Sequence, residues 1–195
     1  MEGLKREALP RLTLDFDGSV QSTKGHAEYT AVGFNKKKKG SRSYYPLFCT
    51  VAQKGQFFDV HHRPGNVHDS NGATEFMTSC FKSVRQEFPN TTLESRMDSA
   101  FFSEERLTNF GSENVRFSAS VPFERFPELK DLIEQRKRWR TIDSEWSYFE
   151  TQWKPKSWDT RYRFIFVRRK ARKQYKGPLQ LHLFEPRDFN FDYKP

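Results

Sequence analysis

The segment from Leu12 to Val20 places acidic residues at alternating positions in an otherwise apolar run, Leu-Thr-Leu-Asp-Phe-Asp-Gly-Ser-Val. Successive side chains of a β-strand point to opposite faces of a sheet, so the apolar residues share one face. Asp15 and Asp17 share the other face. Two like charges held this close are costly unless a cation joins them. The pattern therefore predicts a β-strand that carries a divalent-metal site.

The length and composition favour one α/β domain with a sizeable core. The chain has 195 residues, of which 35% are hydrophobic and twenty are phenylalanine. This is enough apolar material for a single core. No run approaches the roughly 20 apolar residues that a membrane-spanning helix needs, and the N-terminus has no signal-peptide core. We therefore expect a cytoplasmic protein without membrane association.

Hydrophobic periodicity and turn residues divide the chain into strands and helices. Tyr44–Gln53 and Gln56–His62 are predicted to form a hairpin that extends the first strand into an antiparallel meander. A helix with an apolar stripe over Ala73–Phe88 follows, capped by Asp69 or Ser70. A meander followed by alternating helices and strands indicates a mixed sheet with flanking helices. The other expected elements are strands at Leu93–Ala100, Val115–Val121, Trp146–Trp153, Tyr162–Arg169 and Leu179–Glu185, and helices at Ser103–Asn109, stopped by Gly111, and Glu124–Lys137.

A second acid, Asp98, lies at the predicted end of the fourth strand. Arg96 and Asp98 alternate with Met97, so Asp98 faces away from the core. If this strand neighbours the first, Asp98 lies beside Asp17, in the strand-end crevice where α/β folds bind ligands. Mg²⁺ binds one or two carboxylates together with substrate phosphates, and pairs of such ions about 3.5–4 Å apart promote phosphodiester chemistry. Solvated acids at the ends of strands are the alternative.

Histidines offer another metal site. His61, His62, His68 and Asp69 fall within nine positions, and imidazole suits zinc or iron. Adjacent strand residues point to opposite faces, so at most one of the two neighbouring histidines joins His68. The two cysteines lack the spacing of a disulfide framework or a zinc knuckle, and we expect them to be buried.

Positive charge is concentrated between Arg136 and Lys176. This stretch has fourteen lysines and arginines against four acids, whereas the rest of the chain is about neutral. Clustered cations bind phosphate backbones by displacing counterions, so a polyanionic partner is predicted, with a solvated basic face as the alternative. The tryptophans of the stretch either stack on an unpaired base or form the core of a sheet. They are Trp139, Trp146, Trp153 and Trp158.

Four motifs in a fixed order carry a family resemblance. They are Leu14–Val20, Ser43–Leu47, His61–Ser70 and Arg96–Phe102, and together they resemble the DDE transposases of bacterial insertion sequences. The resemblance extends from about Pro10 to the end of the chain. It implies a ribonuclease-H-like α/β fold, in which helices flank a mixed sheet and a β-rich insertion or extension follows.

The resemblance also implies metal-dependent cleavage and strand transfer of DNA. The implied cofactor is Mg²⁺ or Mn²⁺, and the implied partner is DNA at the transposon ends, bound in the nucleoid by a homodimer. Asp17 matches the first aspartate of the family because Gly-Ser follows it, and Asp98 matches the second. Asp15 is a reserve metal ligand. The DNA-binding candidates are Arg136, Lys137, Arg138, Arg140, Arg168, Arg169, Lys170, Arg172 and Lys173.

The same resemblance divides the chain into a short N-terminal segment, 1–10, a transposase core, 11–123, and a basic, aromatic insertion, 124–195. The family's third acid, a glutamate on a later helix, has no assigned counterpart, because Glu145 and Glu150 lie in strand-like surroundings. Relatives carry a helical DNA-binding region before the core, whereas nine residues precede Pro10 here. We therefore expect an incomplete and inactive transposase fragment. The alternatives are a catalytically dead DNA-binding remnant that competes with an intact transposase, and a ribonuclease-H-type nuclease.

Overall fold

The computed structural model describes residues 10–33, 35, 38–170 and 191–194. The chain divides into two compact units, Met1–Val121 and Pro122–Pro195. In the part of the chain that is described, no helix is both long and apolar enough to cross a membrane. The strands of the first unit are β1 (Arg11–Gly18), β2 (Gln21–Ser22), β3 (Ala31–Val32), β4 (Arg42–Tyr44), β5 (Leu47–Val51), β6 (Gln56–His61), β7 (Thr92–Met97) and β8 (Arg116–Ala119).

A five-stranded mixed sheet in the order β6-β5-β1-β7-β8 forms the centre of the first unit. β5 pairs antiparallel with both β1 and β6, which gives the predicted meander. On the other side of β1, β7 and then β8 pair in parallel. The predicted mixed sheet is therefore confirmed. β1 lies at its centre, so its two neighbours hold its position and its register.

Two helices supply the apolar cover of this sheet, α1 (Ala73–Glu87) and α2 (Glu104–Ser112). Most of the predicted stripe of α1 is buried, and Phe81 of this stripe is fully enclosed. The Phe81 ring makes edge-to-face contacts with Phe16 of β1, at 5.8 Å between centroids, and with Phe110 of α2, at 5.2 Å. The apolar side of β1 thus packs on α1, which leaves Asp15 and Asp17 on the opposite side.

The predicted limits of several elements are wrong. α1 begins after Gly72, whose φ is +67°, and no side chain caps it, so neither Asp69 nor Ser70 serves as the cap. α2 continues through Gly111 instead of stopping there. The predicted strand Tyr44–Gln53 is interrupted by Pro46, which has no N–H to donate to a ladder. β4 consequently pairs with β2 and β3 in a small separate sheet.

β7, which corresponds to the predicted strand Leu93–Ala100, also ends earlier than predicted. β7 ends at Met97, and Ser99–Phe101 form a 3-10 turn that Asp98 caps through its side chain. The turn begins here because the Asp98 carboxylate accepts the N–H of Ala100, at 2.9 Å. Asp98 is therefore the junction between a strand and a turn.

The second unit is built around an antiparallel sheet. After a 3-10 turn at Phe123–Arg125 comes α3 (Pro127–Glu134), which is shorter than the predicted helix because Pro127 starts it and it ends at Glu134. The predicted strand at Leu179–Glu185 lies outside the described residues. The strands are β9 (Arg140–Thr141), β10 (Trp146–Trp153), β11 (Tyr162–Lys170) and β12 (Phe191–Lys194), in the order β12-β11-β10-β9.

Replacing Phe81 by alanine should destabilise the first unit strongly. The change removes a fully buried ring that contacts both β1 and α2, so we expect a loss of about 3–5 kcal/mol in the free energy of unfolding. Phe57→Ala is the matched control, because this ring on the edge strand β6 is 58% exposed, and it should cost no more than about 0.5 kcal/mol. Urea denaturation measures both, and equal losses would contradict the packing described.

Candidate functional site

Asp17 and Asp98 lie at the same end of two neighbouring parallel strands. Phe16 of β1 is paired with Met97 of β7, so Asp17 and Asp98 are the next residue along each strand. Both side chains are exposed to solvent. The structure therefore brings together the two acids that the sequence predicts as a pair.

The electrostatics of Asp17 show that other carboxylates are close. Its pKa is raised above the ordinary value of 3.8, first by partial burial, then by the negative charge of Asp98 and, to a smaller extent, of Asp69. A hydrogen bond from the Gly18 backbone opposes this rise. Negative charge thus accumulates at this end of the sheet, which is the condition that a bound cation relieves.

Asp15 is held elsewhere. Both of its carboxylate oxygens accept hydrogen bonds from Arg96, its neighbour on β7, each at 2.5 Å. The Asp15–Arg96 pair lies two residues before Asp17 on the same side of the sheet. A carboxylate in a bidentate ion pair with arginine already has a partner for its charge. This geometry therefore does not favour the predicted role of Asp15 as a reserve metal ligand.

Gly18 is in contact with two side chains that the sequence did not assign to the acid pair. A Cβ atom placed on Gly18 would lie 2.9 Å from Oδ1 of Asp69 and 3.0 Å from the hydroxyl of Tyr45. The Tyr45 hydroxyl donates a hydrogen bond to the Asp69 carboxylate, and burial, followed by this bond, raises the pKa of Tyr45. In the sequence, Tyr45 and Asp69 fall inside two of the four family-like motifs, and Asp69 also belongs to the histidine cluster considered as a metal site.

Arg63 fastens Tyr45 and Asp69 in place. Its side chain is buried, its guanidinium lies over the Tyr45 ring at 5.3 Å, and its Nε donates to the Tyr45 carbonyl at 3.0 Å. Nη1 donates to the carbonyls of Asp69 and Asn71, both at 3.0 Å. Burial lowers the pKa of Arg63, and the nearby Asp69 charge opposes this effect. One guanidinium therefore links the strand connection at Tyr45 to the loop that carries Asp69.

The histidines do not gather into a metal site. His61 stacks on Phe76 of α1, whereas His62 stacks on Tyr29. His68 forms a local hydrogen bond with Ser70 at 2.9 Å. Among the described residues, no group of three or more His, Cys, Asp or Glu side chains is arranged to hold a metal ion. Any cation at Asp17 and Asp98 would therefore depend on these two carboxylates together with water or substrate oxygens, which matches the coordination habit of Mg²⁺.

Two of the predicted DNA-binding arginines, Arg140 and Arg169, form ion pairs within the second unit. Arg140 and Arg163 both pair with Glu150, at 3.4 and 2.6 Å. Arg169 makes a forked pair with Glu145, at 2.8 and 3.0 Å. Both glutamates are thus bound by arginine, which agrees with leaving the third acid unassigned.

The other predicted cations fall into three groups. Two arginines lie over aromatic rings, Arg136 over Phe149 at 4.9 Å and Arg168 over Trp139 at 4.1 Å. Lys137, Arg138 and Lys170 are exposed on the surface. Arg172 and Lys173 lie outside the described residues.

Most of the tryptophans belong to the core of the second unit. Trp139 packs edge-on against Phe149 at 4.7 Å, Trp153 packs against Phe164 at 4.9 Å, and Trp158 is buried. Trp146 lies beside the Arg169 guanidinium, at 5.5 Å. The core interpretation of these rings is therefore favoured over stacking on a DNA base.

The chain matches the model of one protein family. The family model described as "Transposase DDE domain group 1" matches residues 4–177. No curated protein matches the chain. The chain is similar to a piggyBac transposase from a synaptic complex with hairpin DNA, with 15% identity, a TM-score of 0.48, and coverage of 80% of this chain and 33% of that chain.

Two further solved structures show similarity. A Mos1 transposase from a paired-end complex with the left transposon end has 8% identity and a TM-score of 0.41, over 69% of this chain and 50% of that chain. The catalytic core domain of HTLV-2 integrase, in complex with magnesium, has 15% identity and a TM-score of 0.35, over 67% of this chain and 77% of that chain. The chain thus spans about a third of the piggyBac chain and half of the Mos1 chain.

Replacing Gly18 by alanine should destabilise the first unit, because the new methyl group would press against Asp69 and Tyr45 at 2.9–3.0 Å. We expect a loss of about 1–3 kcal/mol in the free energy of unfolding, measured by urea denaturation. Gly111→Ala is the control, since its Cβ would meet nothing within 4 Å in α2. That change should be neutral or should stabilise by up to about 1 kcal/mol. A stable Gly18→Ala protein would contradict the close contact.

Replacing Asp17 by asparagine should raise the melting temperature at neutral pH in the absence of divalent cations. An acid with a higher pKa in the folded state binds more protons when folded, so stability falls as pH rises from 3.8 through the raised value. Removing the charge removes this penalty. Calorimetry across the acidic and neutral range tests it, and the gain should vanish at a pH below the ordinary carboxyl value. A gain independent of pH would point to a different cause.

Proposed function

The chain belongs to the transposase DDE domain family, and from this membership we propose that its first unit holds a divalent cation for cleavage and strand transfer of DNA. The observation that carries the proposal is the adjacency of Asp17 and Asp98 at the ends of two parallel strands in register. The proposal concerns the DNA transposition reaction to which this domain would contribute.

The donors at this site fit Mg²⁺ or Mn²⁺. Both acids are oxygen donors and both are accessible to solvent, whereas the histidines point into separate contacts. A bound divalent cation would activate the attacking oxygen and stabilise the leaving oxygen of a phosphodiester. The pKa of Asp17 is raised first by partial burial and then by the charge of Asp98, and a cation would relieve the second of these effects.

Each acid has a distinct support. Asp17 lies within β1, where the pairing of β5 on one side and β7 on the other restricts its backbone. Asp98 follows β7 and is restrained by its hydrogen bond from Ala100. Because the backbones of both acids are already ordered, binding a cation would not cost the conformational entropy of ordering them. These residues would therefore hold the cation and orient a phosphate beside it.

DNA is the proposed substrate and partner. The positive charge of the second unit supports this, and the residues still available for phosphate contact are the exposed ones, such as Lys137, Arg138 and Lys170. The arginines bound to Glu145 and Glu150 would contribute less, because their charge is already paired. We propose transposon-end DNA as the target, a homodimer as the assembly and the nucleoid as the location.

A DNA-binding protein without cleavage activity is the second candidate. It is favoured by the ion pairs of Glu145 and Glu150, since neither glutamate is available as a third acid in this structure. A protein of this kind would bind the same DNA as an active transposase and compete with it. The two functions differ in whether the acids matter for more than DNA affinity.

Asp17→Asn and Asp98→Asn should abolish cleavage and leave DNA binding intact. Nicking of supercoiled plasmid DNA with Mn²⁺ should fall by about 100-fold or more in each variant, because each loses a carboxylate that holds the cation. Plasmid affinity should stay within about twofold, because phosphate contacts by lysine and arginine supply it. Asp59→Asn is the control, since this exposed carboxylate lies on the edge strand β6 and accepts from the adjacent Val60 N–H.

The outcomes separate the candidates. Equal nicking by wild type and both variants would contradict the proposed metal site. Tight, salt-dependent binding by a wild-type protein that never nicks DNA would indicate the binding function. Cleavage of an RNA–DNA hybrid but not of plasmid DNA would indicate a ribonuclease-H-type nuclease.

A further inference from the structure

A site of two acids does not explain why the side chains of Asp69 and Tyr45 both contact Gly18. The Asp69 carboxylate and the Tyr45 hydroxyl both lie within contact distance of the residue that immediately follows Asp17. Asp69 belongs to the loop before α1, whereas Tyr45 belongs to the connection between β4 and β5. Two segments far apart in sequence thus converge on the end of the strand that carries the first acid.

The convergence is built into the fold by Arg63. Its side chain is only 2% exposed, and it donates to the carbonyls of both Tyr45 and Asp69. A further bond to Asn71 fixes the loop beyond Asp69. A buried guanidinium is expensive unless its hydrogen bonds are made, so these carbonyls are held firmly. Within the described residues, the Nη2 atom of Arg63 is buried and has no hydrogen-bond partner.

The Asp69 carboxylate is oriented by the Tyr45 hydroxyl, which donates a hydrogen bond to it. One Asp69 oxygen lies against Gly18, the residue that directly follows Asp17. A neutral side chain of the same shape would fill this space without repelling Asp17. The Asp69 carboxylate therefore adds to the negative charge that Asp17 and Asp98 place at the end of β1.

We propose that Asp69 is a positioning residue for the cation at Asp17 and Asp98, orienting the cation's water molecules from beside Gly18 while Tyr45 holds its carboxylate. This inference rests on the proposed function and extends it from two acids to three. Mg²⁺ keeps several of its waters when it binds protein, and carboxylates that accept from such waters tune affinity without direct coordination. Such a role is compatible with the lack of a three-residue metal cluster among the described residues.

The test is a measurement of Mn²⁺ binding to the full chain. Electron paramagnetic resonance reports the concentration of Mn²⁺ that remains free. Asp69→Asn keeps an oxygen that accepts from Tyr45 and removes only the charge, so we expect Mn²⁺ affinity to fall by about 10-fold or more. Asp17→Asn should reduce the affinity at least as much. Asp59→Asn, which makes the same change on β6, should bind Mn²⁺ as the wild type does. A wild-type affinity in Asp69→Asn would overturn the inference.

Tyr45→Phe separates orientation from charge. It keeps the Asp69 carboxylate and removes its hydrogen-bond donor, so we expect a smaller loss of Mn²⁺ affinity with a melting temperature close to that of the wild type. If Asp69→Asn does not unfold cooperatively, Tyr45→Phe decides the matter, and an unchanged Mn²⁺ affinity in it would overturn the inference.

The failure of this inference and the failure of the proposed function give different results. Loss of Mn²⁺ binding in Asp17→Asn but not in Asp69→Asn or Tyr45→Phe would leave the two-acid site in place and remove Asp69 from it. Absence of Mn²⁺ binding by the wild type would overturn the proposed metal site and the role of Asp69 with it.

Discussion

The parallel pairing of β1 with β7 determines where the acids of the first unit lie. The pairing runs from Arg11 opposite Thr92 to Phe16 opposite Met97. Because both strands point the same way, their carboxyl ends meet at one edge, and Asp17 and Asp98 follow side by side. The antiparallel pairing of β5 on the other side of β1 fixes the same strand again. Tyr45 and Asp69 contact Gly18 at the end of β1, and Arg63 holds both of them there.

Local patterns in the sequence predicted the part of the site that depends on strand geometry. The alternation around Asp15 and Asp17 specifies which side chains face away from the core, and the same rule applies to Asp98. The mixed sheet followed from the order of strands and helices. Asp15 looked equivalent to Asp17 because both share a face, and only the cross-strand contact with Arg96 distinguishes them.

The remainder depends on contacts between residues distant in sequence, which no local pattern reveals. Asp69 has a side chain suited to capping a helix, yet its carboxylate binds Tyr45, and α1 starts from Gly72 instead. Arg63 looks like a surface cation in a polar loop, yet it is buried among carbonyls. In the second unit, a basic stretch predicted as a DNA surface also supplies its own stability, because several arginines lie on aromatic rings or pair with glutamates.

The register of β1 also constrains which changes of chain length the fold tolerates. Removing or adding one residue within β1 would exchange its two faces and carry Asp17 to the side where Phe16 now contacts Phe81. The turns at Gly25 and Gly40, in the connection between β1 and β5, are under no such constraint, since a Cβ atom on either glycine would meet nothing within 4 Å. Insertions and deletions should therefore accumulate at these two turns among homologous chains, while the number of residues in β1 and β7 stays fixed.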